Sequence, residues 1–414
     1  MSIYAPIYRI AVGAYALVVR IAALFNPKAA LFVQGRKNGI SNIRYALATE
    51  KRPRVWVHCA SLGEFEQGRP VIEAVREQYP QYAIVITFFS PSGYEVRKDY
   101  KGADHVFYLP VDTPRNATDF LDILNPTLCI FVKYEFWYFY LSAIAARQIP
   151  SILISAVFSG EQGFFKWYGS LFRQMLHSFT HIFVQDDGSE ALLQSIGIGN
   201  VTVSGDTRFD RVIKAAQNTV ELPVAEAFCD GYKILVAGST WRDDEKFLHK
   251  VLPLLPQGWK MILVPHEVDG GHIAEIERLF EGETTLWSHA QENPDARVLL
   301  IDTVGLLSQL YRFGSIAWIG GAFGKEGVHN VLEAAVYGIP CFYGPIYHQF
   351  IEANELIDAG GAYSISDPGT LISAIQDLEI SGKYRQVANA ARDYVLTGGG
   401  ATPIVMDFLR SILP

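Results

Sequence analysis

Short runs of continuously apolar residues recur along this chain, and segments with a helical period of about 3.6 residues separate them. Strands without polar–apolar alternation are buried on both faces, and the helices between them cover those faces. The pattern is typical of parallel sheets in a doubly wound α/β fold. The runs form two sets: 55–59, 83–89, 105–109, 128–132, 151–157, 181–185 and 201–204, then 233–237, 261–265, 298–301, 316–319 and 340–343.

Two sets of strands in a chain of 414 residues predict two domains, because this length exceeds one ordinary core. We expect Rossmann-like domains at 29–210 and 231–395, a linker at 211–230, and a C-terminal helix within 396–414 that packs back on the first domain. Half of the residues are hydrophobic, which excludes a disordered chain. Ligands of such folds bind at the carboxyl ends of the strands, so we expect the chemistry in a cleft between facing domains.

The N-terminal region is apolar and basic. The first sixty residues hold nine Lys or Arg and one acid, in a chain whose net charge is −8. We expect an N-terminal helix within residues 1–28. Its segment 7–28 is apolar apart from Arg9, Arg20 and Lys28, and Arg9 and Arg20 fall on nearly the same face of a helix. The longest uncharged run, 10–19, is shorter than the roughly 20 residues that span a bilayer. We predict a helix that lies on an anionic membrane, with a helix packed on the protein's own core as the alternative.

Several other classes of site have no support in the sequence. The four cysteines are far apart and include no C-x-x-C pair, which predicts reduced thiols in a cytosolic protein. No metal signature such as H-E-x-x-H occurs, and no G-x-S-x-G nucleophile motif occurs either. Basic residues do not interleave with exposed aromatic residues, which argues against nucleic-acid binding. We therefore expect no metal, no cofactor and no nucleic-acid partner.

In the first half, polar residues follow the apolar runs where a doubly wound fold would place a site. The turn Ser61-Leu62-Gly63 leads directly to Glu64. An acid at a helix start is more often a cap than a catalytic base, and both interpretations stay open here. The turns after the next runs add further candidates: Ser90, Ser92, Gly93, Lys133 and Glu135. Lys133 and Glu135 could equally form a structural ion pair.

In the second half, a glycine-rich turn is the strongest signal. Glycines between a strand and a helix allow backbone N–H groups to approach an anionic ligand. The spacing fits neither a P-loop nor a dinucleotide fingerprint. The residues concerned are Gly320, Gly321, Gly324 and Gly327, followed by Asn330 and Glu333, which could be a helix cap or ligand contacts. Two more strand ends carry Ser239, Thr240, Pro265 and His266.

Taken together, these motifs resemble the bacterial transferases of 3-deoxy-D-manno-octulosonic acid (Kdo). The resemblance covers nearly the whole chain, through "VWVHCASLGE", "TFFSPSG", "YEFW", "GDTRFD", "AGST" and "GGAFGKEGVHNVLEAAVYGIPCFYGP". It implies a GT-B fold and metal-independent, inverting transfer of Kdo from CMP-Kdo to the lipid A precursor (lipid IVA) in lipopolysaccharide biosynthesis. It also implies binding to the cytoplasmic face of the inner membrane through the basic N-terminal helix.

The resemblance assigns roles by position. Glu64 corresponds to the catalytic base, and Glu135 to a second catalytic glutamate with Trp137 beside it. The other first-half positions correspond to substrate binding: Ser61, Gly63, Ser90, Ser92, Gly93 and Lys133. The donor CMP-Kdo would lie against the second domain, at Ser239, Thr240, Pro265, His266, Gly320, Gly321, Gly324, Gly327, Asn330 and Glu333.

This sequence departs from the family pattern at a few points. His266 stands where the family often has arginine, Trp137-Tyr138 replaces Trp-Pro, and "KEG" replaces a more apolar turn. One rival interpretation is another GT-B enzyme, such as one that uses a UDP-sugar on a lipid or peptidoglycan precursor, or an epimerase. Another is a non-catalytic, membrane-bound protein that binds sugar nucleotides.

Overall fold

The computed structural model divides the chain into two compact units. It describes residues 5–290, 293 and 295–413. Unit 1 runs to Asp210 and resumes at Gly400, and unit 2 comprises Arg211–Gly399. Each unit is built on one parallel sheet, as the two sets of apolar runs predict.

In the described residues, the sheet of unit 1 contains seven strands: β1 (Arg54–Cys59), β2 (Ala83–Phe88), β3 (His105–Tyr108), β4 (Pro126–Val132), β5 (Ser151–Ala156), β6 (His181–Val184) and β7 (Val201–Val203). Their order is β3-β2-β1-β4-β5-β6-β7, and the pairs are parallel. The chain winds outward from β1 to β3, returns to β4 beside β1, and winds outward again. The carboxyl ends of β1 and β4 therefore adjoin at the reversal, where doubly wound proteins bind ligands.

Apolar side chains bury both faces of this sheet. Every residue of β2 is buried, and so is all of β1 except Arg54. Burial of each Val, Ile or Phe side chain contributes about 1.5–3 kcal/mol. His58 and Thr87 are polar exceptions in these two strands, and they hydrogen-bond each other at 2.8 Å. A buried polar pair is tolerated because its hydrogen bonds replace those lost to water.

Unit 2 repeats the design, again with seven strands in the part of the chain that is described: β8 (Lys233–Thr240), β9 (Trp259–Pro265), β10 (Thr284–Leu286), β11 (Val298–Leu300), β12 (Ile316–Ile319), β13 (Cys341–Tyr343) and β14 (Ala362–Ser364). Their order is β10-β11-β9-β8-β12-β13-β14. The sequence pattern does not predict β10 and β14. Each has three residues at an edge of the sheet, and neither is a continuous apolar run.

Helices connect the strands in both units. Those that begin in unit 1 are α1 (Ala5–Ala22), α2 (Pro27–Gly35), α3 (Gly39–Leu47), α4 (Leu62–Gln78), α5 (Pro91–Arg97), α6 (Pro114–Leu124), α7 (Tyr138–Ala146), α8 (Ser170–Leu176), α9 (Asp187–Ser195) and α10 (Thr207–Gln217). Unit 2 has α11 (Pro223–Cys229), α12 (Arg242–Val251), α13 (Gly270–Leu279), α14 (Leu307–Leu310), α15 (Leu332–Ala335), α16 (Ile351–Asp358), α17 (Pro368–Ile380) and α18 (Tyr384–Gly398). The last helix, α19 (Ala401–Leu409), belongs to unit 1.

The two segments expected to connect the domains are largely helical. Residues 211–230 carry the second half of α10 and all of α11. The Asp210 carboxylate accepts hydrogen bonds from the backbone N–H groups of Gly400 and Thr402, both at 2.6 Å, at the start of α19. The apolar side of α19 is fully buried in the core that contains β1, β2 and α4. The final helix therefore completes the core of unit 1.

Helix α1 has the opposite character, since its apolar side chains are exposed. Ala5 is its buried residue, whereas Ile7, Ile10, Leu17 and Val18 expose 58–72% of their surface. Of the described helices it alone is long and apolar enough to cross a membrane, by length and composition. Such a helix is not a core helix, because most of its apolar surface lies outside the core.

Candidate active site

The turn after β1 places Glu64 at the start of α4. Ser61 is the N-cap of this helix, and its backbone N–H donates to Glu64 Oε2 at 3.0 Å. The Ser61 hydroxyl also donates to this oxygen. Glu64 Oε1 has no hydrogen-bond donor among the described residues. The half-buried carboxylate thus caps the helix with one oxygen and keeps the other free to act as a base.

The turn after β2 lies directly beside this one. The backbone N–H of Ser90 donates to the carbonyl of Ala60 at 2.6 Å. Ser90 caps α5 by accepting from the N–H of Ser92 at 3.3 Å, and their hydroxyls are 3.0 Å apart. Gly93 has a packing role, because a Cβ there would lie 2.2 Å from the ring of Phe88. The structure therefore brings the serine hydroxyls and the Glu64 turn to one edge of the sheet.

Lys133 follows β4 on the other side of β1, in a strained conformation. Its φ of 62° lies in the left-handed region, which costs a non-glycine residue roughly 1–2 kcal/mol. Burial lowers the pKa of its ammonium group, and the charge of Arg208 lowers it further, whereas Asp206 and Glu64 oppose the shift. Strain of this kind concentrates at functional sites. Because Lys133 interacts electrostatically with Glu64, we take it as a basic residue of the same candidate site.

Glu135 has a different partner from the one considered for it above. Its Oε2 lies 2.7 Å from Nε2 of His58, which is fully buried in β1, and 2.8 Å from Nε1 of Trp137. On the other side of the imidazole, Nδ1 lies 2.8 Å from Thr87 Oγ1. Glu135 therefore belongs to a buried network with His58 rather than to an ion pair with Lys133.

The donors and acceptors of this network fit one direction. Trp56 Nε1 donates to Thr87 Oγ1 at 2.8 Å. The Thr87 hydroxyl can then donate to Nδ1 of His58, whose Nε2–H donates to Glu135, and Trp137 donates to the same carboxylate oxygen. Every polar hydrogen in the network has an acceptor in this arrangement, so the orientation of Glu135 is fixed.

Asp112 forms a second buried cluster, which joins α1 to α7. Its buried carboxylate accepts from the backbone N–H groups of Phe139 and Tyr140, each at 3.1 Å, in the first turn of α7. The hydroxyl of Tyr8, on α1, donates to the same carboxylate at 2.7 Å. Burial raises the pKa of Asp112 to about 6, although these hydrogen bonds oppose the shift. Helix α1 is thereby tied to the helix that follows Trp137.

In unit 2, the end of β8 combines an accessible hydroxyl with a buried one. Ser239 is half-buried and has a φ of 52°. Thr240 is fully buried and donates to Glu245 at 3.2 Å, and the other oxygen of Glu245 binds Nε2 of His272 at 2.9 Å. The Thr240 hydroxyl is thus engaged in the core, and Ser239 carries the hydroxyl that a ligand can reach.

The glycine-rich turn allows backbone segments to approach closely. A Cβ at Gly320 would lie 2.3 Å from the carbonyl oxygen of Ser239, and one at Gly321 would lie 2.2 Å from that of Gly327. The N–H groups of these four glycines already have protein acceptors: Gly321 donates to Asp244 at 2.8 Å, Gly320 to a carbonyl of β8, and Gly324 and Gly327 to carbonyls within the turn. The following helix, α15, has only four residues. The glycines therefore serve close backbone approach, and their own N–H groups are not open to a ligand.

Asn330 and Glu333 interact with each other, as their spacing predicts. Asn330 Nδ2 donates to Glu333 Oε1 at 3.1 Å, and Asn330 Oδ1 accepts from the N–H of Leu332 at 3.2 Å. Arg211 lies 3.5 Å from the same Glu333 oxygen. Both residues are half-buried, so a cap and a ligand contact remain compatible at this position.

Three flat rings stack beside the glycine turn. His266 follows Pro265 at the end of β9, and its ring lies 4.7 Å from that of Trp241 and 4.4 Å from that of His329. Trp241 Nε1 donates to His329 Nε2 at 2.8 Å, which leaves the proton of a neutral His329 on Nδ1. Burial lowers the pKa of both histidines, to about 4 for His329, where the charge of His266 adds to the effect. Both imidazoles are therefore neutral at pH 7.

The sequence analysis assigns no role to several residues of these clusters, among them His58, Trp241 and His329. His58 carries a signal, because it is a polar side chain inside the otherwise apolar run 55–59. Trp241 and His329 are 88 positions apart, and only the fold brings their rings together. The described residues contain no group of three or more His, Cys, Asp or Glu side chains placed to hold a metal ion.

Comparison with known proteins places these clusters in a family. A family profile described as 3-deoxy-D-manno-octulosonic-acid transferase (kdotransferase) matches residues 39–211. The 3-deoxy-D-manno-octulosonic acid transferase of Aquifex aeolicus is 28% identical, over 82% of this chain and 90% of that protein. The protein of the same name from Bordetella pertussis is 27% identical, over 87% of both chains.

Solved structures with the same fold carry other activities. The UDP-GlcNAc 2-epimerase of Neisseria meningitidis, bound to UDP-GlcNAc, superposes with a TM-score of 0.60 at 17% identity, covering 86% of this chain and all of that one. MurG of Acinetobacter baumannii gives 0.55 at 14% identity, over 87% and 99%. Identities this low describe the fold and leave the reaction open.

Two doubly wound parallel units, each with polar side chains at the carboxyl ends of its strands, define a protein of the GT-B class. Within that fold, the chain is similar in sequence to the Kdo transferases over most of its length, and Kdo transferases are glycosyltransferases.

Proposed function

We propose that this protein transfers Kdo from CMP-Kdo to a lipid A precursor, with lipid IVA as the acceptor and Glu64 as the base. The observation that carries the proposal is the family profile over residues 39–211, since this range contains both Glu64 and Glu135. The clear-cut sequence relatives are Kdo transferases, whereas the likeness to epimerases is one of fold alone.

Unit 1 has the groups that activation of an acceptor hydroxyl requires. Displacement of CMP needs a base that takes the proton of the attacking hydroxyl. Glu64 Oε2 is held by Ser61, so Oε1 remains for that proton, and the start of α4 favours the ionised carboxylate. Lys133 and the hydroxyls of Ser90 and Ser92 are polar contacts for a phosphorylated sugar acceptor. Glu135 remains the second candidate catalytic carboxylate, because His58 and Trp137 hold its Oε2 while its Oε1 has no donor among the described residues.

Unit 2 has groups suited to a nucleotide donor. The stacked rings of Trp241, His266 and His329 form a flat surface, against which a cytosine or a ribose can pack. His329 Nδ1–H and the Ser239 hydroxyl are hydrogen-bond donors for a phosphate. Since the glycine N–H groups already have protein acceptors, we assign the phosphate to these side chains. Asn330 and Glu333 remain candidates for contacts with hydroxyl groups of the donor.

Helix α1 supports membrane association on the cytoplasmic side of the inner membrane. Its exposed apolar residues and its arginines are the two features that hold a helix in an anionic membrane interface. A lipid-bearing acceptor would then meet unit 1 at the membrane surface. Flotation of the full chain with anionic vesicles, compared with neutral ones, measures this association.

The test of the reaction is replacement of the proposed base. We expect Glu64→Gln to bind CMP normally and to transfer Kdo at least 100-fold more slowly, because general-base catalysis contributes about 10²–10⁴-fold. Transfer is measured with CMP-Kdo regenerated in place and a tetra-acylated lipid A precursor, and the product is identified by mass. Glu77→Gln, an exposed change on the same helix, is the matched control. Near-normal turnover of Glu64→Gln would exclude this residue as the base.

Nucleotide binding distinguishes Kdo transfer from the alternative that the enzyme uses a UDP-sugar. Protection of the protein by CMP or CTP against thermal unfolding supports Kdo transfer, and protection by UDP alone contradicts it. A non-catalytic binding protein would form no product with any donor.

A further inference from the structure

Unit 1 contains a cavity of about 490 Å³ between α1 and the body of the unit. One wall is a single face of α1, formed by residues three, four or seven positions apart: Arg9, Val12, Gly13, Ala16 and Arg20. The opposite wall is formed by Arg36, residues 38–41, Tyr108, Pro110, Val111, Thr113 and Asn116. Both arginines of α1 therefore point to the same cavity, as their spacing in the sequence indicates.

Arginines supply all of the formal charge in this cavity. Arg9, Arg20 and Arg36 line it, and no acidic residue does. None of the three forms an ion pair with a carboxylate in the described part of the chain. Arg9 and Arg20 are exposed enough to move toward a ligand. Three positive charges around one space, without a counter-charge, attract an anion.

Arg36 is fixed at the inner side of the cavity. Its guanidinium stacks on the ring of Phe32 at 3.6 Å and donates to the carbonyls of Leu109 at 2.9 Å and Phe89 at 2.6 Å. Burial lowers its pKa to about 10, so the group stays charged at pH 7. The hydrogen-bond acceptors of Arg36 are neutral carbonyl oxygens, so its positive charge has no opposite charge beside it. A bound anion would neutralise this charge.

The start of α3 adds to this preference. Asn38 precedes the helix in a left-handed conformation, and no side chain caps the helix start. Residues 38–41 all line the cavity, so the first N–H groups of α3 are close to it. Their partial positive charge adds to that of the arginines.

The other face of α1 shows what kind of anion can reach this space. Ile7, Ile10, Leu17, Val18 and Ile21 are exposed on the helix whose opposite face forms the cavity wall. A helix that buries this apolar face in a membrane holds the cavity at the depth of the lipid headgroups. Free phosphate would gain nothing from an apolar surface beside the cavity. A lipid can place its phosphate in the cavity and its acyl chains against the exposed apolar face of α1.

We propose that this cavity binds the phosphate of a membrane lipid headgroup through Arg9, Arg20 and Arg36, while the acyl chains lie along the apolar face of α1. The inference extends the proposed function, because both the phosphorylated acceptor and the anionic phospholipids of the membrane present this chemistry.

Gly13 provides a test that changes no charge. A Cβ at Gly13 meets no atom within 4 Å, so Gly13→Leu fits the helix and fills the cavity. The change also makes α1 more apolar and a better helix former. If α1 binds membranes only by apolar insertion and diffuse charge, Gly13→Leu binds vesicles as well as the wild type or better. If the cavity holds a headgroup, binding to phosphatidylcholine vesicles that contain phosphatidic acid weakens about tenfold, a change of about 1.4 kcal/mol.

The arginines are tested against a charge-matched control. Arg9→Gln/Arg20→Gln and Lys28→Gln/Arg44→Gln remove the same charge from the same region, but only the first pair lines the cavity. We expect the first variant to bind the phosphatidic acid vesicles at least tenfold more weakly than the second. Equal losses in the two variants, or undiminished binding by Gly13→Leu, would overturn the proposal. Circular dichroism checks that each full-length variant is folded.

Two further arms identify the source of the phosphate. If Gly13→Leu raises the KM for the lipid A precursor in detergent without changing kcat, the cavity holds the acceptor. If that KM is unchanged while vesicle binding falls, it holds a phospholipid. Displacement of the vesicles by glycerol phosphate at equal phosphate concentration would overturn the assignment to a lipid. Failure of the wild type to transfer Kdo would contradict the proposed function and would leave the vesicle result unaffected.

Discussion

At the scale of single residues, His58 determines what Glu135 can do. The imidazole is fully buried in β1, and its Nε2 lies 2.7 Å from the Glu135 carboxylate. Trp137 reaches the same oxygen at 2.8 Å. Both donors reach the same oxygen, so the carboxylate is held in one orientation while Glu135 Oε1 has no hydrogen-bond donor among the described residues. Glu135 therefore resembles Glu64, which also keeps one oxygen free.

The coupling between His58 and Glu135 is measurable. We expect His58→Ala and Glu135→Gln each to lower the free energy of unfolding by about 1–3 kcal/mol, because each leaves a buried polar partner unsatisfied. The double variant should lose less than the sum of both, by roughly 0.5–3 kcal/mol. Denaturant unfolding of the wild type, the two single variants and the double variant measures this double-mutant cycle. His177→Ala, at an exposed position, should add to Glu135→Gln without coupling. Additivity in the first cycle would contradict the buried network.

Some of the site could be foreseen from single residues and some could not. The Glu64 turn is evident because a small-residue turn and an acid directly follow an apolar run. The partner of Glu135 was not evident, since the adjacent Lys133 is nearer in sequence than His58, which lies 77 positions away. The sequence also does not indicate that the N–H groups of Gly320, Gly321, Gly324 and Gly327 have protein acceptors. The glycines are required by close backbone approach, and the sequence alone does not distinguish that requirement from ligand binding.

At the scale of elements, α7 depends on a cap from outside its own sequence. Trp137 precedes this helix and gives no side-chain cap, whereas Asp112 accepts the N–H groups of Phe139 and Tyr140. Tyr8 adds a third donor from α1. The start of α7, the loop that contains Asp112 and helix α1 are thereby joined at one carboxylate.

This carboxylate predicts a defined pH dependence. Burial raises the pKa of Asp112 from its ordinary value of 3.8 to about 6, so the folded state binds its proton more tightly than the unfolded state. The stability that this proton gives is complete below about pH 4 and is lost as the pH rises through 6. Between pH 4 and pH 7, the free energy of unfolding of the wild type should fall by up to about 3 kcal/mol relative to that of Asp112→Asn.

The measurement is denaturant unfolding of both proteins across this pH range. Asp99→Asn, at an exposed position in unit 1, controls for the loss of a carboxyl group. A difference between the wild type and Asp112→Asn that stays constant with pH would show that the carboxyl titrates alike in the folded and unfolded states.

The element pattern of the fold follows from burial. Long apolar runs such as 83–89 predict strands, because a strand covered on both faces must be apolar throughout. The edge strands β10 and β14 contain threonine, tyrosine and serine and only three residues each, so their sequence resembles that of loops. Edge strands with one neighbour need little apolar sequence, and only the sheet beside them reveals their conformation.

At the scale of the whole molecule, unit 1 is closed by residues far along the chain. Val405, Met406 and Leu409 of α19 are buried in the core with β1, β2 and α4. Leu409→Ala should destabilise unit 1 by about 2–5 kcal/mol, through lost burial and the cavity that remains. Hydrogen exchange should accelerate in β1 and β2 and remain unchanged in unit 2. Ile404→Ala, at an exposed position of α19, is the control. Uniform acceleration in both units would mean that they unfold as one.

The position of α19 also bears on how the protein is made. The ribosome completes residues 1–210 and then adds unit 2 before α19 exists. At about 5–20 residues per second, the intervening 189 residues take roughly 10–40 s. During that time the apolar surface of α4 that α19 will cover is exposed on the nascent chain. Unit 1 therefore reaches its final packing only after α19 has been added. A chain interrupted before Ala401 would leave that surface of α4 uncovered.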